Sequence, residues 1–161
     1  ADNQVHAVSD MASSIESVRL ARDQLYEVLT TLHAKGDVVL VQDEASIETV
    51  MERCTRLNRH LMQSSRVSSD VPYLVSPVSG GAITYDRISQ LFLLAYTEGL
   101  SEPSQWADFA WQVLQSQGHL LVQEGQVLKT EEENRAELLR LAQNFGEKRL
   151  RIAQALKVIM E

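Results

Sequence analysis

The chain is short of cysteine: among its 161 residues only Cys54 carries a thiol. No intramolecular disulfide can form, and no metal site can draw on two thiolates. A reducing, cytoplasmic setting fits that usage. Long apolar runs are missing too, since none approaches the roughly 18 to 20 residues a helical membrane span needs. Cations are in deficit, with 15 Lys and Arg against 22 Asp and Glu and a formal net charge of −7. Such a balance aids solubility and opposes a phosphate backbone or an anionic membrane face. Unspecific nucleic-acid binding is disfavoured on that ground.

Groups that carry catalysis are thinly spread. His6, His33, His60 and His119 fall in different expected elements, and no two stand at metal-ligand spacing. Gly80-Gly81 is not followed by Gly-Lys-Ser/Thr, so there is no phosphate loop. Cys54 has no histidine three or four residues away and sits on an apolar stripe, where it reads as a small buried hydrophobe. The stretch Arg59-His60-Leu-Met-Gln-Ser-Ser65 resembles the setting of a phosphotransfer histidine but lacks the expected Lys and Gly. His60 therefore reads as a surface side chain. No catalytic, cofactor-binding or metal-ligating residue is assigned, and the expectation is a protein that is not an enzyme and needs no cofactor.

What is present is ordinary globular material, 44% hydrophobic and 23% charged, enough for one domain or a small module with helical extensions. The first residue, Ala1, fits a fragment or a processed chain. From about Ser9 to Lys35 the positions Met11, Ile15, Val18, Leu25, Leu29 and Leu32 step by fours and threes, with Arg22 in the missing place. Ser9 or Asp10 is a candidate cap and Gly36 a candidate terminator. Asp37-Val-Val-Leu-Val-Gln42 reads as a buried strand or an extended link. Ile47, Val50, Cys54, Leu57 and Leu61 then mark a second amphipathic helix over about 44–64, expected to fold back on the first as a helical hairpin. Residues 66–81 change character, with serines, Pro72, Pro77 and Gly80-Gly81; they form a connection in which Val71–Ser76 is apolar enough to dock as an extra strand.

From Thr84 to Thr130 a specific order of elements shows. Thr84 is a plausible cap for a helix that places Ile88, Leu91, Phe92 and Ala95 on one face and ends near Gly99. Ser101 and Pro103 open a second helix with Trp106, Phe109, Ala110, Val113 and Leu114 inward, ending at Gly118. His119–Val122 and Gln126–Leu128 can pair across Glu124-Gly125 as a hairpin. Helix, helix and hairpin in that order resemble a winged-helix module. Thr130 and Glu133 have capping-box spacing, and Leu138, Ala142, Phe145, Ile152, Leu156 and Ile159 mark a terminal helix over about 131–160. Arg149 interrupts its stripe and Gly146 is expected to loosen or bend it, at roughly 1 kcal/mol relative to alanine.

The fold expected is mainly α: a helical hairpin (1–65), a connection (66–81), a winged-helix-like module with a small β-hairpin (82–130) and a C-terminal helix (131–161). A winged helix reads DNA with cations on its second helix, yet residues 102–117 hold no Arg or Lys. The expectation is a protein-interaction or assembly module, a subunit or fragment of a larger complex, that meets a protein partner or self-associates. Partner-binding candidates are Arg149 and whichever of Trp106 and Trp111, five residues apart and so not both inward on one face, is left outside, unless the long terminal helix covers it. The alternative is a nucleic-acid-binding regulator dimerising through its long helices, with Arg53, Arg56, Arg59 and Arg66 as its basic patch, the first three on one helix face.

Overall fold

The computed structural model describes Val8, Asp10, Met11, Ser13 and residues 22–35 and 37–160, with the side chains of all but Arg22. Ile15, Val18, the Arg22 side chain, His6, the cap at Ser9 and the terminator at Gly36 lie outside the described residues. Helix α1 runs Arg22–Lys35, and its Leu25, Leu29 and Leu32 are only half-buried. Val8 and Met11 line one small cavity of about 260 Å³ together with Leu29, His33 and Val38–Val41. On a straight helix the 18 residues from Met11 to Leu29 would span about 27 Å. The described helical residues therefore do not lie along one rod from 9 to 35, which corrects the single long helix expected there.

Helix α2, Glu44–Ser64, starts at Asp43, whose carboxylate accepts from the Ser46 backbone N–H at 3.0 Å and from its hydroxyl at 2.7 Å. Those bonds hold the Asp43 carboxyl below its ordinary range. Among the described residues its main contacts are with α3 and strand β1, so α2 packs on the following module; residues 14–21 of the expected helical hairpin lie outside the described residues. The run before it carries no regular secondary structure, and Val39, Leu40 and Val41 are exposed. It is an extended link, not a buried strand.

Strands β1 (Tyr73–Ser76) and β2 (Gly81–Thr84) form an antiparallel hairpin with Leu74 opposite Ile83 and Val75 opposite Ala82. The docking strand expected within 71–76 is thus β1, and Thr84, expected as a helix cap, ends β2. Asp86 caps α3 (Arg87–Thr97) instead, accepting from the Ser89 N–H at 2.8 Å. Five consecutive residues of α3, Leu91 to Ala95, are at most 2% exposed, so this helix is buried all round and not on one face. Its central place, touching α2, α4 and α5, requires an apolar circumference.

Helix α4, Pro103–Ser116, is capped by Glu102 in a capping box with Gln105, one residue after the expected Ser101. It lies between α3 and helix α5, Glu131–Phe145, so two of its faces are covered. Trp106 and Trp111 are accordingly 2% and 3% exposed. The second face is covered by the terminal helix, the other outcome the spacing allowed, because a sandwiched helix has two inner faces. Strands β3 (Val122–Gln123) and β4 (Gln126–Val127) form a second, separate hairpin. Glu124 and Gly125 both turn at positive φ, 49° and 79°, the geometry of a two-residue type I′ loop.

The terminal helix loosens where glycine enters. After α5 the residues Gly146–Leu150 make a π-helical turn, and α6 covers only Arg151–Ala155. Lys157 takes φ 51°, while Val158 N–H bonds Ala153 C=O and Lys157 N–H bonds Gln154 C=O. This Schellman arrangement turns the chain back and buries Val158 and Ile159, which is why the helix stops short of the expected end near 160.

Candidate docking groove

The apolar row of α2 is legible in sequence, but the structure leaves it half-covered. None of Ile47, Val50, Cys54, Leu57 and Leu61 is fully buried, and Leu57 is 44% exposed. The fully buried members of α2 are Asn58 and Met62. Between that row and the β1–β2 hairpin runs a cleft of about 570 Å³, open to solvent. Val50, Cys54 and Leu57 make its helix wall, and Val75, Pro77 and Ala82 its hairpin wall. Cys54 is half-exposed there and not sealed in the core.

The walls are held apart by hydrogen bonds. Asn58, 0% exposed, donates to Val75 C=O at 2.8 Å and accepts from Val75 N–H at 2.8 Å. Its second amide hydrogen goes to Val158 C=O at 2.8 Å, tying helix, strand and returning chain end together. At the far lip, Gln42 N–H donates to Val78 C=O at 2.7 Å. The Gln42 side chain fills the space over Gly80, where an added Cβ would stand 2.1 Å from its amide nitrogen.

Among the described residues, Arg53 sits on the lining and no carboxylate does. Arg53, Arg56 and Arg59 are exposed, and among the described residues none of them has an ion pair or side-chain hydrogen bond. Other arginines are committed. Arg66 pairs with Glu98 at 2.8 Å and lies 4.8 Å over the Phe109 ring. Arg87 donates to the Ser65 and Arg66 carbonyls and to Gln117, and meets His119 Nδ1 at 3.0 Å. Arg149, a partner-binding candidate from sequence, donates to Thr84 C=O and lies 4.7 Å over the Tyr85 ring. It is half-buried at the end of β2, some way along the hairpin from Arg53.

The two tryptophans stand elsewhere, in the core. Trp106 donates its indole N–H to Leu100 C=O at 2.7 Å and packs edge-on against Tyr96 and Phe145. The Trp111 N–H is buried without a partner in full hydrogen-bond geometry. It faces the Glu131 carboxyl, which Arg135 above all holds below the ordinary range. The Tyr85 phenol is also sealed and unpartnered, and burial pushes its pKa up against a smaller opposing pull from Arg149. A phenol in that state is neutral and has no access to a substrate. Among the described residues no three His, Cys, Asp or Glu side chains converge as they would around a metal ion, and no helix is long and apolar enough to cross a membrane.

Sequence reasoning missed the buried amides. Asn134, 0% exposed, fastens the second hairpin to α5 by accepting from Leu121 N–H at 2.8 Å and donating to Leu128 C=O at 2.9 Å. Gln90 does the same for the approach to β1, donating to Val71 and Tyr85 carbonyls. A single polar residue set among apolar neighbours was the available signal.

No family model matches the chain, and no solved structure matches it. An uncharacterized protein of Synechocystis sp. is 28% identical over 149 residues, 92% of this chain, and the chain spans 29% of that protein's length.

Proposed function

We propose that this chain is a non-catalytic protein-interaction or assembly module of a larger protein, and that the cleft between α2 and the β1–β2 hairpin is its docking surface. The observation that carries the reading is the unfinished core of α2. An apolar helical row of this length is normally covered, yet here it faces a cleft that falls in the size range of ligand and peptide sites. Among the described residues, the one charged group on that lining is Arg53, which has no ion pair or side-chain hydrogen bond there. Membership of a longer protein is supported by the relative, of which the chain matches under a third. A reducing compartment, such as the cytoplasm, suits a half-exposed Cys54.

The test is selection of random dodecapeptides displayed on phage against the whole chain, with counter-selection on Leu57→Glu. Leu57 is 44% exposed, so the substitution alters the cleft without disturbing the core. A pool that binds the parent and not the variant is expected; a failure to enrich any such pool sinks the reading.

The three unpaired arginines favour a second reading, a nucleic-acid-binding regulator in which the winged-helix-like order of α3, α4 and the β3–β4 hairpin serves a duplex. Against it, α4 carries no cation and the chain carries seven net negative charges. Duplex DNA affinity should be absent at physiological salt. A steep salt-dependent affinity, lost in Arg56→Ala/Arg59→Ala, would reverse the order of the two readings.

A further inference from the structure

We infer that a second copy of this chain docks on the free edge of β2, and that the strand it supplies is its own exposed run Val39-Leu40-Val41. The inference rests on the docking reading above and names the partner.

The free edge follows from the register. Val75 turns its N–H and C=O to Asn58, away from β2, so Val75 and Ala82 are a non-hydrogen-bonded pair. The Ala82 N–H and C=O therefore point out of the hairpin on its other side, where Ala82 is exposed. Two residues on, the outward Thr84 C=O is already taken by Arg149, which closes that end of the edge. At the opposite end the Gln42 side chain covers Gly80. What stays open is Gly81–Ile83, a length of about three residues.

The chain holds a segment that matches this gap. Val39, Leu40 and Val41 are 45%, 68% and 41% exposed, and among the described residues their backbone groups bond nothing. The segment is held out at both ends, by His33 Nδ1 against Val38 C=O at 3.1 Å and by the Gln42 N–H on Val78. An apolar, β-branched run with unpaired backbone groups and a strand edge with unpaired backbone groups are the two halves of strand addition. Alternate side chains of the added strand face the Val75–Ala82 side and continue the apolar wall of the cleft. Charge agrees as well. Asp37 and Asp43-Glu44 flank the run, and Arg149 is the cation at the Thr84 end of the edge that receives it. Each copy then offers one run and accepts one, as a closed two-fold contact requires.

The test is weight-average mass by light scattering over a concentration series, with the parent chain, Ala82→Pro and Leu40→Asp, each checked for folding by circular dichroism. Proline removes the outward N–H at a position where an edge tolerates it, and Leu40 is exposed enough to accept a charge. The parent mass should double with rising concentration, and each variant should stay at the monomer mass. An equimolar mixture of the two should recover mass, because one sound run still meets one sound edge. A second measurement does not depend on the variants folding. The capped peptide Asp-Val-Val-Leu-Val-Gln-Asp should return the parent to monomer mass, and its copy N-methylated at the leucine should not. A parent that stays monomeric, a dimer indifferent to the peptide, or a mixture without recovery overturns the pairing. If the parent is monomeric but Leu57-dependent peptides are still selected, the pairing falls and the docking reading stands.

Discussion

Asn58 is the residue on which the site depends. It is fully buried on α2 and spends one acceptor and two donor hydrogens on Val75 N–H, Val75 C=O and Val158 C=O. Asn58→Ala would strand those three backbone groups in the interior, at about 1–3 kcal/mol for each that water does not reach. A loss of roughly 2–4 kcal/mol in urea unfolding is expected. Asn58→Asp should do no better. It keeps the acceptor for Val75 N–H but sets a second oxygen against two carbonyl oxygens, so it should match or exceed the alanine loss. If either variant unfolds at the parent midpoint, the amide is not the tie described here.

At the scale of elements, the terminal helix shows how a local rule can point the right way for an incomplete reason. Gly146 does mark the change to a π-helical turn, but its φ of −59° is helical, so no special backbone conformation demands glycine. The constraint is Trp106, which an added Cβ would meet at 3.2 Å, and Trp106 is pinned by Leu100 and packed against Tyr96 and Phe145. Gly146→Ala should therefore forfeit the usual helical gain of about 1 kcal/mol, and Gly146→Val should cost about 1–3 kcal/mol by overpacking. In a Trp106→Phe background the alanine substitution should become less costly, and a double-mutant cycle by thermal unfolding reads that coupling. Capping carries a pH signature. The Thr130 backbone N–H foremost holds Glu133 below its ordinary range, and Arg140 does so for Glu137. A carboxyl whose folded pKa is lowered contributes stability above its unfolded value, about 4.3 for glutamate, and loses it as pH falls through the folded value. Melting temperature should hold from pH 7 to about 5 and drop below about 4.3. Glu133→Gln, which keeps the reach to Thr130 but does not titrate, should soften that drop.

What was legible in sequence at this scale was whatever a local signal specifies. The Thr130–Glu133 box, Pro103 at the head of its helix and the Glu124-Gly125 turn are all found where spacing placed them. Long-range facts were not legible. Whether Leu57 would be covered depends on where the hairpin sits, and the hairpin sits where Asn58 holds it. The apolar row of α2 was therefore visible in the sequence while its openness was not. Which outcome Trp106 and Trp111 would meet was open for a related reason, because the number of covered faces on a helix belongs to its neighbours.

For the whole molecule, the two ends of the chain make unequal contributions. No described residue of α1 is fully buried, and the link that follows reaches the body through Gln42 on Val78 and Gly80. By contrast, Leu138, Ala142, Phe145, Ala153, Val158 and Ile159, all beyond Thr130, belong to the buried core. At about 1.5–3 kcal/mol for each of the four large side chains among them, removing them costs an amount of the same size as the roughly 5–15 kcal/mol by which a domain is stable. A fragment ending at Thr130 should therefore be unfolded by circular dichroism; it should not behave as a dissociated monomer, because the terminal helix closes its own core. A fragment beginning at Asp43, which retains the α2 cap, should melt within a few degrees of the whole chain. It should also lose all concentration dependence of mass, since it keeps the β2 edge but lacks the run that fills it. A fragment that folds and still doubles in mass would place self-association on some other surface and leave α1 and its link without a part in assembly.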